Sequence, residues 1–497
     1  MKKKGFTLIE LLAVILILGI IALIAIPTVN NILKEARKGA FKTSSDNIMK
    51  SMEEACQTSL IKGENPILGY TFNEGKSNFK LEIKGTMPDD GYVFLDNNCS
   101  VTDYYLKDQN NVYSTSDDYR NEYMLNASTE EKKSLFQTLY SDYFEQIISI
   151  NFINNLNIHE GAIEIKNPSI SGSEKVKSWL VADGSNYHLY IGSDDKIFAN
   201  YDSSYLFYNF TNVTQINIDN LYTDFTTTMV SMFENCKNII SLDVNHFRMF
   251  NTTNIKSMFS GCSKLTNIKF DDWDTSNITN MGFLFSMSSK LKIFNVSSWD
   301  TSNVTEMRLL FYDCDAIVSL DLSTWNTSKV KNMNSMFFSC DNLQSLNIAN
   351  WNTSSLQNIS SMFFLSSKLK TIDINNWDVT KVNDMSSLFL GCRALEKVDL
   401  SKSSTPNLTK MDKMFSTCTV LKTVDLSNFI VSSVTSVTDL FESTENVNTI
   451  KAKANTINMI KDVIPDRSAT TFGSLIIIGY TTSLDTTTLS AKNWNVV

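Results

Sequence analysis

Apolar residues recur along this chain with several periods, and each period predicts its own kind of element. The most regular is a spacing of 26 residues carrying Phe207, Phe233, Phe259, Phe285, Phe311, Phe337, Phe363, Phe389, Phe415 and Phe441, with no insertion or deletion. A fixed period of that length marks a stack of coils, each using its neighbours to bury an apolar face. Inside one coil, Val330, Met333, Met336, Phe337 and Cys340 fall on one face of a short helix. Leu343, Leu346 and Ile348 follow as L-x-x-L-x-L, predicting a short strand before Asn350, Trp351 and Asn352 turn the chain. The skeleton returns as Met307-Leu310-Phe311-Cys314-Ile317-Leu320-Leu322-Trp325, and again around Phe389. After Phe441 the pattern fades, so 451–497 reads as a terminal cap, with SLIIIGY a strand within it.

The other end of the chain is continuously apolar. From Leu8 to Ile26 the only charged residue is Glu10. A run of that length predicts a membrane-spanning helix, with Lys2, Lys3 and Lys4 holding the N-terminus on the cytoplasmic side and the rest outside. A cleaved secretory signal fits less well, because no small-x-small site ends the run; a plain signal anchor is the other reading. Apolar residues at helical spacing continue through Ile32, Leu33, Ala36, Ala40, Ile48, Met52 and Ala55. Beyond Gly63-Glu64-Asn65-Pro66 the runs YTF, FKLEI and GYVFL read as strands of a small sheet. Residues 100–200 are less regular. TEEKKSLFQTLYSDYFEQIISINFINNL reads as helix, through Leu135, Leu139, Phe144 and Ile147, while EIKNPSI and NYHLYIG read as strands.

Composition narrows the function. The 42% hydrophobic content excludes bulk disorder. A formal charge of −9, spread along the chain, argues against nucleic-acid binding. His159, His188 and His246 are far apart in sequence and form no metal-spaced or catalytic motif. Phosphate-loop, dinucleotide, zinc-hydrolase and nucleophile-elbow motifs are all missing. The chain therefore reads as a structural or binding protein and not an enzyme, with no cofactor and no metal site.

Lys4-Gly5-Phe6-Thr7-Leu8-Ile9-Glu10 resembles the signal of type IV pilins and type II secretion pseudopilins. The resemblance implies cleavage between Gly5 and Phe6 by a prepilin peptidase and N-methylation of Phe6. It also implies pairing of Glu10 with the amine of a neighbouring subunit during assembly, and a kink at Pro27. A carboxylate in an apolar helix is expensive unless paired, which gives Glu10 a physical reason to seek that amine; a position near the membrane interface is the plainer alternative. The array resembles the BspA-like leucine-rich repeats of bacterial surface proteins and mycoplasma surface lipoproteins, through M-x-x-M-F-x-x-C and L-x-L-x-x-W-[ND]-[TV]-S.

The expected fold is α+β: a pilin-like long helix with a small antiparallel sheet, then a leucine-rich-repeat solenoid of 26-residue coils. The expected parts are a leader 1–5, a helix 6–60, a head and adaptor 61–200, the solenoid 201–450 and the cap 451–497. The expected role is a minor or tip subunit of a type IV pilus or pseudopilus, at the cell membrane and then the cell surface, mediating adhesion. A secretion-type pseudopilin engaging cargo and an unpolymerised surface receptor are the alternatives. Partners would be the prepilin peptidase, other pilins, membrane lipid and an extracellular protein or glycan.

Register supplies the candidate sites. Asp321, Asn347, Asp373 and Asp399 occupy one outward strand position and form a candidate binding face, or an ordinary solvated one. Trp273, Trp299, Trp325, Trp351 and Trp377 form a ladder, either exposed to sugar rings or packed at a corner. Cys56 and Cys99 are a candidate disulfide or a buried thiol pair. Three residues after each array Phe stand Cys236, Cys262, Ser288, Cys314, Cys340, Ser366, Cys392, Cys418 and Thr444. Neighbouring coils place equivalent residues about 5 Å apart, so Cys236–Cys262, Cys314–Cys340 and Cys392–Cys418 are candidate bridges. Packing thiols are the alternative, since identical positions aim their Cβ atoms in parallel.

Overall fold

The computed structural model describes residues 40, 42–62, 69–73, 76–77, 90–95, 99–107, 112–114, 123–128 and 131–497, the last stretch less residues 250, 272, 293–295, 468–472, 479–483, 485 and 497. The chain divides into two compact units, Met1–Tyr119 and Arg120–Val497.

In the first unit, helix α1 (residues 42–61) carries Ile48, Met52 and Cys56 one turn apart, a single buried stripe. That stripe packs on Tyr70, Val93, Leu95, Cys99 and Leu106. Apart from Cys99, two residues before β4, these come from an antiparallel sheet of β1 (Gly69–Asn73), β2 (Lys76–Ser77), β3 (Asp90–Leu95), β4 (Val101–Lys107) and β5 (Val112–Ser114), ordered β2-β1-β3-β4-β5. Two ties hold α1 to the sheet. Glu53 Oε1 accepts the Val101 N–H at 3.0 Å. Cys56 and Cys99 form a disulfide with their Cα atoms 5.6 Å apart. YTF and GYVFL fall in β1 and β3, whereas FKLEI lies outside the described residues. Strand β4 escaped the sequence reading because it is bulged: Leu95 pairs with Val101 while Phe94 pairs with Asp103. The bulge sets Val101, Tyr104 and Leu106 against the core, which breaks the period of two.

The membrane expectation requires correction. Among the described residues no helix is long and apolar enough to cross a membrane, contrary to the expected transmembrane helix and single-pass localisation. The run Leu8–Ile26, with Gly5, Phe6, Glu10 and Pro27, lies outside the described residues.

The second unit begins with a correction too. The helix expected across 129–156 shrinks to α2 (Leu135–Leu139), whose first turn is capped by Ser134 Oγ accepting the Phe136 N–H at 3.1 Å. A 3-10 turn follows at Phe144–Gln146, and the isoleucine-rich run becomes strand β6 (Ile147–Ile153). Its β-branched residues favour extended backbone, and Ile147, Ile150 and Phe152 are buried there. Strands β7 (Ile163–Lys166), β8 (Val176–Asp183), β9 (Asn186–Ser193) and, later in the chain, β11 (Gln215–Asn217) complete a mixed sheet ordered β11-β6-β9-β8-β7. Strand β10 (Ile197–Phe198) pairs in parallel with β12 (Leu221–Tyr222).

From Asp202 onward the chain forms small parallel sheets. β13 (Ser241–Asp243) pairs with β14 (Asn267–Lys269), and β15 (Ser319–Asp321) with β16 (Ser345–Asn347). β17 (Lys397–Asp399), β18 (Thr423–Leu426), β19 (Thr449–Ala452), β20 (Gly473–Ile477) and β21 (Trp494–Val496) make the third sheet, which also carries α3 (Ala454–Ile460) and α4 (Thr486–Ala491) between its strands. Among the described residues the strands therefore do not join into one unbroken ladder, and the expected continuous solenoid is met only in part. A chain of single parallel bridges does link residues 26 apart, through Asp202, Thr228, Asn254, Asn280, Glu306, Asn332, Asn358, Asp384, Lys410 and Ser436.

The short helix expected in each coil is absent from the described part of 202–453. Turns replace it. The residues two before and two after each array Phe have positive φ, as at Leu309 (51°) and Asp313 (57°), or Ser335 and Ser339 (54° each). An L-residue at positive φ cannot continue a right-handed helix. Each arc is closed by i→i−3 bonds, such as Met336 N–H to Met333 O at 3.2 Å. The array phenylalanines are buried, and successive rings stack, for example Phe311 on Phe337 at 5.5 Å and Phe337 on Phe363 at 5.8 Å.

Candidate functional site

The outward strand face is brought together at the two-stranded sheet of β15 and β16. In β15 and β16 Asp321 pairs with Asn347 and Ser319 with Ser345. Asp373 stands at the same position one coil on, where the chain is not a strand. With Leu320, Leu346 and Thr371 these residues line a shallow concavity of about 340 Å³. Its floor is unusual. Leu320 and Leu346 are half-buried, whereas the equivalent Leu242, Val398 and Val424 are buried. Asp399, the fourth candidate, lies in β17 outside this concavity and pairs with Lys397 at 3.4 Å.

The carboxylates are positioned, not merely solvated. One oxygen of Asp321 accepts the Ser323 N–H at 3.0 Å, that of Asp373 the Asn375 N–H at 3.1 Å, and that of Asp399 the Ser401 N–H at 3.1 Å. Such short loops back to the chain fix one carboxylate oxygen at each strand position. Hydrogen bonds from Ser323, with a smaller one from Asn347, hold Asp321 below the ordinary carboxylate range. Partial burial pushes Asp399 upward, yet hydrogen bonds from Ser401 and Lys397 outweigh it and leave the group lowered. The concavity thus offers ionised acceptors over an accessible apolar floor, a surface for a ligand rich in donors.

The other candidates resolve into packing. Trp273, Trp299, Trp325, Trp351 and Trp377 are all buried, and Trp273 and Trp299 stack at 6.1 Å. Trp325 Nε1 donates to Val296 O at 2.9 Å, and Trp351 Nε1 to Leu322 O at 2.9 Å. This is a corner ladder with no ring free for a sugar. The predicted bridges are corrected as well: Cys236, Cys262, Cys314, Cys340, Cys392 and Cys418 are free, buried thiols. Each donates its S–H to the carbonyl of the Phe in the preceding coil, as Cys340 to Phe311 O at 3.0 Å and Cys418 to Phe389 O at 3.0 Å. Ser288, Ser366 and Thr444 make the same bond, to Phe259, Phe337 and Phe415 at 2.8, 2.8 and 2.7 Å. Burial pushes the Cys236 and Cys418 thiols up to about 12, which removes the reactive thiolate.

One grouping was invisible in the sequence. His188 Nδ1 lies 2.7 Å from Ser149 Oγ, and His188 Nε2 lies 3.5 Å from Asp183 Oδ2. Ser149 also accepts from Asn151 Nδ2 at 3.0 Å and is buried within β6. The three residues fasten β6 to the β8–β9 hairpin, and the serine faces the neighbouring strand. Among the described residues no group of His, Cys, Asp and Glu is arranged to hold a metal ion.

Comparison with known proteins matches two family models at separate parts of the chain. The family described as Mycoplasma protein of unknown function, DUF285, matches residues 201–293, 279–372 and 363–463, together just over half of the chain. A prokaryotic N-terminal methylation motif matches residues 1–26. A fimbrial protein of Dichelobacter nodosus is 36% identical over 86 residues, 17% of this chain and 54% of that protein. The type IV major fimbrial protein FimA of the same organism is 35% identical over 86 residues, 17% of this chain and 53% of its own length. The chain spans about half the length of these relatives. Among solved structures, the TLR13–ssRNA13 complex matches over 56% of this chain and 42% of its own, with 13% identity and a TM-score of 0.22, too low to carry an argument.

Proposed function

Since this chain belongs to the family described as Mycoplasma protein of unknown function, DUF285, across residues 201–463, and carries an N-terminal methylation motif, we propose that it is a pilin-like surface protein displaying a repeat array. On this reading it enters a type IV pilus or pseudopilus as a minor or tip subunit. A prepilin peptidase cuts between Gly5 and Phe6, Phe6 is methylated, and Glu10 meets the free amine of the next subunit. Pro27, lacking an N–H, sets a bend in the same segment. Residues 201–450 are read as a BspA-like leucine-rich-repeat solenoid, and 451–497 as its cap. The bridges repeating every 26 residues support that reading. The role is binding and not catalysis, and the concavity of Asp321, Asn347 and Asp373 is the face that meets an extracellular protein or glycan.

The observation that carries the proposal is the methylation motif at residues 1–26. Its test is intact-mass analysis of the protein from its native host. Loss of Met1–Gly5 with one added methyl is expected, and a protein retaining Met1–Gly5 refutes processing. Immuno-electron microscopy of sheared filaments tests assembly, where Glu10→Ala should deplete the subunit; wild-type abundance would remove the pairing role. Adhesion is tested separately, with the triple replacement of Asp321, Asn347 and Asp373 by Ala expected to reduce surface binding while filaments persist.

A further inference from the structure

In every coil from Phe207 to Phe415, four backbone N–H groups point the same way. In the coil of Phe415, Met411, Lys413, Phe415 and Thr417 donate to the carbonyls of Ser436, Thr438, Leu440 and Glu442, at 3.2, 2.9, 3.0 and 2.7 Å. The donors of each arc face the coil that follows, and the carbonyls face the coil before. Such a stack has unlike ends, one presenting acceptors and the other donors. At the acceptor end, the Leu206 carbonyl is taken by Ser134 Oγ of the same chain at 2.6 Å. At the donor end, the N–H groups of Val437, Asp439, Phe441 and Ser443 find no acceptor among the described residues.

The strand side of that end is covered by β20 and β21. Among the described residues no strand covers the arc side. Arg467 stands one period after Phe441, but the segment before it does not close on the arc. An open groove of about 460 Å³ separates them, with Phe441 and Ser443 on one wall and Ile464 and Pro465 on the other. Lys492 bridges the far wall, donating to Ile464 O at 2.9 Å and pairing with Asp466 at 3.1 Å.

We propose that this groove takes an extended polypeptide segment bearing basic side chains, its carbonyl oxygens accepting from the unpaired N–H groups of Asp439, Phe441 and Ser443. Phe441 is buried, and a buried backbone donor rarely goes unpaired, while the exposed Asp439 and Ser443 hold their N–H groups open to a ligand's carbonyls. The rim selects which acceptors. Asp439, Glu442, Glu445, Asp462 and Asp466 line it with one lysine, Lys492, which pairs with Asp466; nearby, Lys413 pairs with Asp439 and Arg467 donates to the Glu445 carbonyl. An excess of carboxylates repels a phosphate or an acidic peptide and favours neutral carbonyls flanked by cations. The mode is that of strand addition at a sheet edge, with main-chain bonds giving affinity and side chains giving selectivity. It rests on the backbone donors and the rim charge of this end, independent of the pilin-like reading and of the strand-face concavity.

The test is amide hydrogen exchange, read by mass spectrometry over 437–443 in the full-length protein. Four probes are added in turn: the blocked octapeptide of alternating Ala and Lys, its Ala-Glu counterpart, inorganic phosphate, and spermidine, which has charge but no carbonyl. The Ala-Lys peptide should slow exchange about tenfold, and the other three should leave it unchanged. Combining Glu442→Lys with Asp462→Lys should abolish the effect at an unchanged melting temperature. Protection of 437–443 in the free protein, or none with the Ala-Lys peptide, overturns the proposal. Equal protection by phosphate or the Ala-Glu peptide makes the site an anion site, and equal protection by spermidine makes it a charge effect; either also overturns it.

Discussion

Two cysteines of the first unit, 43 residues apart, are joined covalently, while six cysteines in the repeat array remain thiols. Proximity does not separate the cases, since equivalent residues of adjacent coils lie about 5 Å apart. Direction does. Cys56 and Cys99 come from a helix and a strand end that face each other across one core. Array cysteines come from identical positions, so their side chains run parallel, and each sulfur already has an acceptor in the coil before it. A core closed by a sheet of short, distant strands uses a staple. A core closed by repetition spreads the same task over stacked rings, aligned backbone bonds and one small donor per coil.

The largest effect expected from breaking this contrast lies in the array. Phe337 is buried and stacked on both neighbours, so Phe337→Ala opens a cavity shared by three coils. A loss of about 3–5 kcal/mol is expected in urea unfolding followed by array tryptophan fluorescence. A loss below about 1 kcal/mol would mean that the backbone bonds, and not the rings, carry the stack.

Reduction sharpens the contrast from the other side. The Cys56–Cys99 bridge closes a loop of 43 residues, and removing it should cost the first unit about 2–4 kcal/mol. Cys56→Ser or a reductant should therefore lower the first unit's unfolding transition and leave the array transition where it was. A shift of the array under reductant would show that some of its thiols are bridged in solution.

Conformation at the arcs gives the next effect. Gly391 sits at φ 76°, and a Cβ there would meet Leu365 Cδ2 at 2.6 Å. Gly391→Ala should cost about 1–2 kcal/mol by thermal unfolding, from the left-handed backbone and the displaced leucine together. The same backbone at Ser335 and Ser339 carries side chains in the wild type, so a neutral Gly391→Ala would trace the cost elsewhere.

Those arcs also mark where sequence reasoning stopped. The 26-residue register of Phe, Trp and Cys was legible because it is one residue type at one period, and it brought Asp321, Asn347 and Asp373 to one face. The arc itself was misread as helix because Met333, Met336 and Phe337 suit a turn succession as well as a helical stripe. Positive φ falls on Leu309, Leu365 and Lys413, residues that do not advertise it, while Gly261 and Gly391 mark only two coils. In β4 a bulge hid the alternation, and in 147–153 apolar spacing masked the extended preference of isoleucine. The half-exposed Leu320 and Leu346, and the open row of donors at Val437–Ser443, depend on neighbours or on the main chain alone, which side-chain pattern does not record.

The smallest effect decides what the array cysteines are for. Cys340 donates to Phe311 O at 3.0 Å, and Ser366 one coil on donates to Phe337 O at 2.8 Å. If the donor is what the position requires, Cys340→Ser keeps it in a cavity little changed in size and should cost less than about 1 kcal/mol. Cys340→Ala removes the donor and the sulfur, and should cost about 1–2 kcal/mol. The paired measurement is urea unfolding of both variants under the same conditions, with Ser366→Ala as the reciprocal test. Ser366→Ala should lose about as much as Cys340→Ala, and Ser366→Cys about as little as Cys340→Ser. Should Cys340→Ser instead cost as much as Cys340→Ala, sulfur packing would be what the coil needs, and the hydroxyl coils would be weak points in the stack.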